Sequence, residues 1–163
     1  MNPGQIKITL KPGKEQSVKR FHPWIFSGAI ARFAGKPAEG EWVSVYSSEN
    51  EFLAAGHYQV GSIAVRVLTF ADVEPDENFW KTKIENAWKL RQSLGFDNNK
   101  ETNVFRLIHG EGDGLPGLIV DFYNGTAVMQ SHSVGMFLIR DLLAEILKEV
   151  LGDRLKAVYD KSA

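Results

Sequence analysis

The sequence predicts an α+β chain of two domains, a small β-barrel over residues 1–74 and a mixed α/β domain over residues 75–163. Three observations predict it. Short segments rich in β-branched and aromatic residues recur through residues 5–70 with turn residues between them, the pattern of a compact barrel. Two longer stretches, 76–94 and 135–151, repeat apolar residues at helical spacing. Between these stretches lie strand-like segments joined by glycine-rich turns, so the second sheet is expected to be flanked by helices.

In the first domain, Ile6, Ile8 and Leu10 alternate with polar or charged neighbours, the period of a half-buried strand, and Lys11-Pro12-Gly13 ends it. Pro23 suits a first helical turn, so Trp24, Ile25 and Phe26 are predicted as a short helix stopped by Ser27-Gly28. Strands are predicted at Trp42 to Tyr46, Phe52 to Tyr58 and Ile63 to Thr69. Ser48-Glu49-Asn50 and Gly61-Ser62 separate them.

Composition changes at Asp72-Val73-Glu74-Pro75. Asp76 is a good N-cap and Glu77 suits the positive end of the helix dipole. Phe79, Trp80, Ile84, Ala87, Trp88 and Leu94 then follow helical spacing until Gly95. A strand is predicted from Val104 to His109. Asn124-Gly125, a strong hairpin turn, pairs Leu118 to Tyr123 with Thr126 to Ser131. The apolar positions between Met136 and Val150 describe one amphipathic helix closed by Gly152. Ala157, Val158 and Tyr159 open a further strand, and its ending in Asp160-Lys161-Ser162-Ala163 without a cap reads as a cut in a longer chain.

Composition excludes several classes. A hydrophobic fraction of 44%, with 10 Phe, 4 Trp and 4 Tyr, is that of a folded chain. No apolar run is long enough to cross a membrane, and the first residues carry no apolar signal core. The chain has no Cys, which removes thiol nucleophiles, zinc ribbons and disulfides and makes a cytoplasmic location the expectation. Charge is uneven. Residues 1–36 carry Lys7, Lys11, Lys14, Lys19, Arg20, Arg32 and Lys36 against Glu15, whereas residues 37–74 carry six acids against Arg66. A basic front on a near-neutral chain suggests a local anionic partner.

Arg106 to Tyr123 reads RLIHGEGDGLPGLIVDFY. Gly112, Gly114 and Gly117 match the spacing of a dinucleotide loop, but that loop must open a helix, with an acid about 20 residues on. Here a strand follows, and position 137 is Phe. The tract is therefore strand, tight loop, strand.

The segment Lys19-Arg20-Phe21-His22-Pro23-Trp24-Ile25-Phe26-Ser27-Gly28-Ala29-Ile30, then Ala64-Val65-Arg66-Val67-Leu68, then Arg106 to Asp121, resembles the N-terminal part of the SAM-dependent ribosomal RNA large-subunit methyltransferases that modify cytosine at carbon 5. Order and spacing of all three match, over nearly the whole chain. The resemblance implies a PUA-like barrel, a central α/β domain, and a Rossmann-like methyltransferase domain expected after Ala163. It implies S-adenosylmethionine as cofactor of the parent protein, bound outside this chain, and large-subunit rRNA as partner, with no membrane and a homodimer allowed. The family's cysteine nucleophile has no counterpart here, so these residues are expected to recognise substrate without catalysing.

Within that frame the RNA-binding candidates are Lys19, Arg20, His22, Trp24, Ser27 and Arg66, cations interleaved with aromatics that suit phosphate and base contacts. The competing reading makes Phe21, Trp24 and Phe26 core and the Lys-Arg pair solvated. Arg106, His109, Glu111 and Asp113 are candidates to line a cleft mouth where a flipped base is received. Against this stands turn chemistry, with Glu111 pairing Arg106 to hold the loop. Lys81, Lys83, Lys89 and Arg91 on the first long helix read first as a solvated face, with RNA contact as the alternative. No metal site is predicted, because His22, His57, His109 and His132 fall on separate elements. Two further classes are a freestanding RNA-binding adaptor and an interaction module that pairs through an exposed strand at 157–162.

Overall fold

A computed structural model describes residues 6–162, and the chain divides into two compact units, Met1–Val73 and Glu74–Ala163. The first is a curled six-stranded sheet, a half-barrel, built from β1 (Ile6–Leu10), β2 (Trp24–Phe26), β3 (Ile30–Ala34), β4 (Trp42–Tyr46), β5 (Phe52–Tyr58) and β6 (Ile63–Thr69). Its order is β2-β6-β5-β4-β1-β3. β1 lies inside the sheet, antiparallel to β3 and parallel to β4. That position explains why Thr9, polar and predicted to face water, is buried along with Ile8 and Leu10. The core gathers Ile8, Leu10, Ile25, Val43, Val45 and Val65 around Val18 of α1 (Gln16–Lys19).

Trp24 to Phe26 is a strand and not the predicted helix. It pairs antiparallel with β6, Trp24 opposite Arg66 and Ile25 opposite Val65. Sheet pairing outweighs the helical reading of Pro23, because only an extended segment sends Ile25 into the core while its neighbours face outward. The helical turn falls earlier, at α1, and Ser27–Ala29 forms a 3-10 turn.

The second unit holds a mixed four-stranded sheet in the order β10-β9-β8-β7, made of β7 (Val104–His109), β8 (Leu118–Tyr123), β9 (Thr126–Ser131) and β10 (Ala157–Asp160). The β8–β9 hairpin turns at Asn124 and Gly125, both at positive φ, and β10 runs parallel to β9. α2 (Glu77–Ser93) starts where Asp76 accepts a hydrogen bond from the Phe79 amide at 2.7 Å. It buries Trp80, Ile84 and Trp88 and packs on β7 and α4 (Arg140–Leu151). The helix predicted over 135–151 is two: α3 (Val134–Leu138) is capped by Ser133 and breaks at Ile139. There Arg140 donates to the Phe137 carbonyl at 2.9 Å and lies over its ring, fixing the corner.

Candidate nucleic-acid interface

In the first unit, α1 ends in a left-handed cap. Phe21 occupies the left-handed position (φ 62°), with its amide donating to Val18 O (2.9 Å) and the His22 amide to Ser17 O (3.0 Å). This is the Schellman pattern, with phenylalanine where glycine is usual. A left-handed non-glycine residue costs about 1–2 kcal/mol. Yet Phe21 is 71% exposed and touches Phe70 only edge-on, at 5.1 Å. Strain spent on presenting a ring to solvent points to a use for that ring.

The chain then runs extended, so His22, Trp24 and Phe26 share one face. Their ring centroids lie 6.0 to 6.4 Å apart. The Trp24 amide donates to His22 Nδ1 (3.2 Å), and Phe26 is 47% exposed. Arg66 stands opposite Trp24 on β6 and donates to Gln59 Oε1 at 3.0 Å. Ser27 is exposed at the end of this face. Lys19 is engaged differently: its ammonium pairs with Glu51 at 2.7 Å, and that hydrogen bond raises its pKa against a small opposing effect of burial. Arg20 is the exposed cation beside it. Neither Phe21 nor Phe26 is core. Phe26 belongs to the aromatic face, at which in sequence only the alternation 22, 24, 26 hinted, and Phe21 stands just before it against Phe70.

In the second unit, Arg106 pairs with Asp121 across the sheet. Antiparallel register puts the two opposite each other on β7 and β8, and the guanidinium holds both carboxylate oxygens at 2.8 and 3.1 Å. Asp121 accordingly raises the Arg106 pKa. His109 Nδ1 lies 3.3 Å from Arg106 Nη1. Asp113 is buried as a brace: its carboxylate receives Arg91 at 2.5 and 2.8 Å and the His109 amide at 2.6 Å. Arg91 also donates to the Arg106 carbonyl at 2.9 Å. Lys83, partly buried with its pKa lowered by that burial, donates to Gly114 O at 2.9 Å. Arg91 and Lys83 are thus loop supports rather than a solvated face. The loop makes one 3-10 turn at Gly110–Asp113, settles over fully buried Leu115 and runs into β8, so its glycines open no α-helix. Arg106, His109 and Asp113 border an apolar hollow of about 390 Å³ with Leu90 and Leu94, and Glu111 stands outside its lining. Among the described residues no group of three or more His, Asp or Glu is placed to hold a metal.

Residues 8–70 match the PUA-like domain family. The chain is 38% identical over 158 residues to ribosomal RNA large subunit methyltransferase I of Alteromonas mediterranea, covering 96% of this chain and 39% of that protein. The Shewanella amazonensis protein of the same name is 37% identical over 159 residues, with the same coverage. The chain therefore spans about two fifths of the length of the curated relatives it matches. A solved structure from Streptococcus mutans, assigned as a SAM-dependent methyltransferase, superposes with a TM-score of 0.82 at 19% identity, over 97% of this chain and 41% of that one. Another, assigned as a methyltransferase and solved with SAH, gives 0.82 at 19% identity over 97% and 40%. At that identity the two structures speak to the fold.

Proposed function

We propose, for a chain with a PUA-like domain at residues 8–70 and homology to ribosomal RNA large subunit methyltransferases along nearly all its length, that it is the RNA-recognition part of a SAM-dependent enzyme modifying cytosine at carbon 5 of large-subunit rRNA. Residues 1–74 hold RNA, and residues 75–163 form the central domain beside it in sequence. The observation that carries this reading is the part-exposed aromatic face of His22, Trp24 and Phe26 with Arg66 opposite Trp24, preceded in sequence by exposed Arg20 and Phe21. Flat rings stack on unpaired bases and guanidinium groups meet phosphates.

The residues present do not suit the methyl donor. A helix N-terminus behind a glycine loop is the usual anchor for such a group. Here the glycine loop is filled by Leu115 and Lys83 and leads into a strand. With no Cys in the chain either, donor and nucleophile are assigned to residues outside it. Arg106 and His109 then present a polar rim to RNA, while Asp113 keeps the loop in shape.

The test is binding of the chain to a large-subunit rRNA fragment at several salt concentrations. Arg20→Ala should weaken binding and lower the salt slope by about 1, the signature of one phosphate contact. Phe26→Ala should cost about 1–3 kcal/mol with the slope unchanged, as for a lost stacking partner. Wild-type affinity and slope in both variants would sink the reading.

A further inference from the structure

We propose that the second unit carries a nucleotide pocket of its own, at the hairpin end of its sheet, taking one base with its ribose and phosphate. The pocket encloses about 260 Å³ between the inner face of α2, the 96–103 loop, the β8–β9 turn and the segment after α4. That is near the lower end for small-ligand sites, room for one nucleoside and not for two stacked ones.

Its rings share a tilt. Phe105 lies within 17° of Trp88, 24° of Phe96 and 30° of Phe122, with centroids 5.1 to 6.2 Å apart. Hydrophobic cores usually mix edge-on and stacked rings, as this chain does around Phe79 and Trp80. The stack they form gives the pocket a flat aromatic side, against which a planar guest can lie. Phe96 and Phe105 remain partly exposed.

Around these walls stand the groups a nucleotide needs. Asn103 and Asn124 bring carboxamides, which donate and accept and so can read a base edge. Arg154 lies over the Trp88 ring, 5.6 Å from its centroid, and donates to Asp97 O at 2.6 Å. Lys156 is exposed and its stem runs along Gly125, where an added Cβ would meet it at 3.2 Å. Two cations at one rim suit a phosphate. The Asp153 carboxylate beside them is an acceptor for ribose hydroxyls. The acids make the pocket a poor home for a bare anion, which selects for a ligand that also carries donors.

The walls are preformed. Asn99 Oδ1 receives the amides of Glu101 and Thr102 at 2.8 and 3.1 Å, shaping the loop. The Asn124 amide donates to Asn103 O at 2.9 Å, and Lys156 N to Gly125 O at 2.7 Å, tying loop, turn and tail together. A preformed pocket loses little freedom on binding. This site shares no residue with the first unit's aromatic face, so it stands whether or not that face binds RNA; it adjoins the Arg106 tract through Phe122, and through Phe96 and Phe105 it backs onto the hollow beside His109.

The experiment is an NMR titration of the 15N-labelled chain with AMP, CMP, ribose 5-phosphate and a single-stranded hexaribonucleotide. AMP or the hexamer should shift the Trp88 indole N–H and the Asn103 and Asn124 side-chain amides. Lys156→Glu and Phe96→Ala should each weaken the binding about tenfold or more, and ribose 5-phosphate should bind weaker than AMP by a similar factor. Tighter binding of the hexamer through the same signals identifies a base of an RNA strand, and AMP binding as tightly as the hexamer a free nucleotide; both support the pocket. Lys156 is exposed, so its variant keeps the fold when Phe96→Ala does not. Unmoved signals with every ligand at millimolar concentration, or equal binding by wild type and Lys156→Glu, would overturn it.

Discussion

His57 shows what burial does to a single side chain. It is 6% exposed on β5, with Arg66 beside it on β6 and the Trp42 ring 5.8 Å away from β4. Burial disfavours the charged imidazolium and lowers its pKa to about 4 from 6.5. A base whose folded pKa is depressed binds its proton more readily when unfolded. The stabilising effect of neutral His57 is therefore complete above pH 6.5 and is lost as pH falls toward 4, by at most about 1.4 kcal/mol per pH unit. His57→Gln should flatten the fall in unfolding free energy over that window, read by urea denaturation at several pH values. An unchanged slope would show that His57 is protonated in the fold. No residue type announces such an environment, and the same holds for the ion pairs. Lys19 meets Glu51 and Arg91 meets Asp113 across 32 and 22 residues of sequence, separations that only the folded chain closes. Phe21 was opaque for a different reason: the rule for a left-handed cap asks for glycine, and this chain breaks it.

Among the elements, the glycine loop makes the sharpest mechanical claim. Gly117 has φ 86°, and a Cβ there would fall 2.5 Å from Ser133 Oγ and 2.8 Å from Ser133 Cβ. Ser133 caps α3 through the Met136 amide, and the His132 amide donates to Gly117 O at 2.7 Å. Gly117→Ala should thus combine left-handed strain with a displaced cap, destabilising the second unit by about 2–4 kcal/mol. Gly13→Ala is the control: at φ 79° it meets nothing within 4 Å, so only the strain of about 1–2 kcal/mol applies. Thermal unfolding of the two variants separates them, and equal losses would mean that Ser133 moves aside freely. The hairpin of β8 and β9 was readable residue for residue, because Asn124-Gly125 and period-two patterning state the same thing locally. Trp24–Phe26 was misread because three residues are too few to show a period. The corner at Ile139 went unseen because the apolar pattern runs straight across it, while a side chain, Arg140, secures the break.

For the molecule as a whole, each unit owns a core. Ile8, Leu10, Val43, Val45 and Val65 fill the first, and Ile84, Leu107, Leu118, Met129, Leu143 and Ile146 fill the second, all nearly inaccessible to solvent. Every strand pairing is also internal to a unit, since the six-stranded and four-stranded sheets share no strand. A chain whose hydrophobic burial and ladder hydrogen bonds partition in this way can be cut where they part. Residues 1–73 and 74–163, made separately, should each unfold cooperatively and keep the dispersed amide spectrum they have in the full chain. Small size works against the first piece, because a domain this short buries a smaller share of its surface and its margin is thin. The split also sorts the two binding claims. Residues 1–73 should retain the rRNA affinity and its salt slope to within about threefold, because the phosphate and stacking contacts assigned to it are local. The mononucleotide signals should follow residues 74–163. If either piece is unfolded in isolation at a temperature where the full chain is stable, two self-sufficient cores are refuted. If both fold and rRNA affinity follows residues 74–163 instead, the exposed rings of Phe21 and Phe26 serve another purpose.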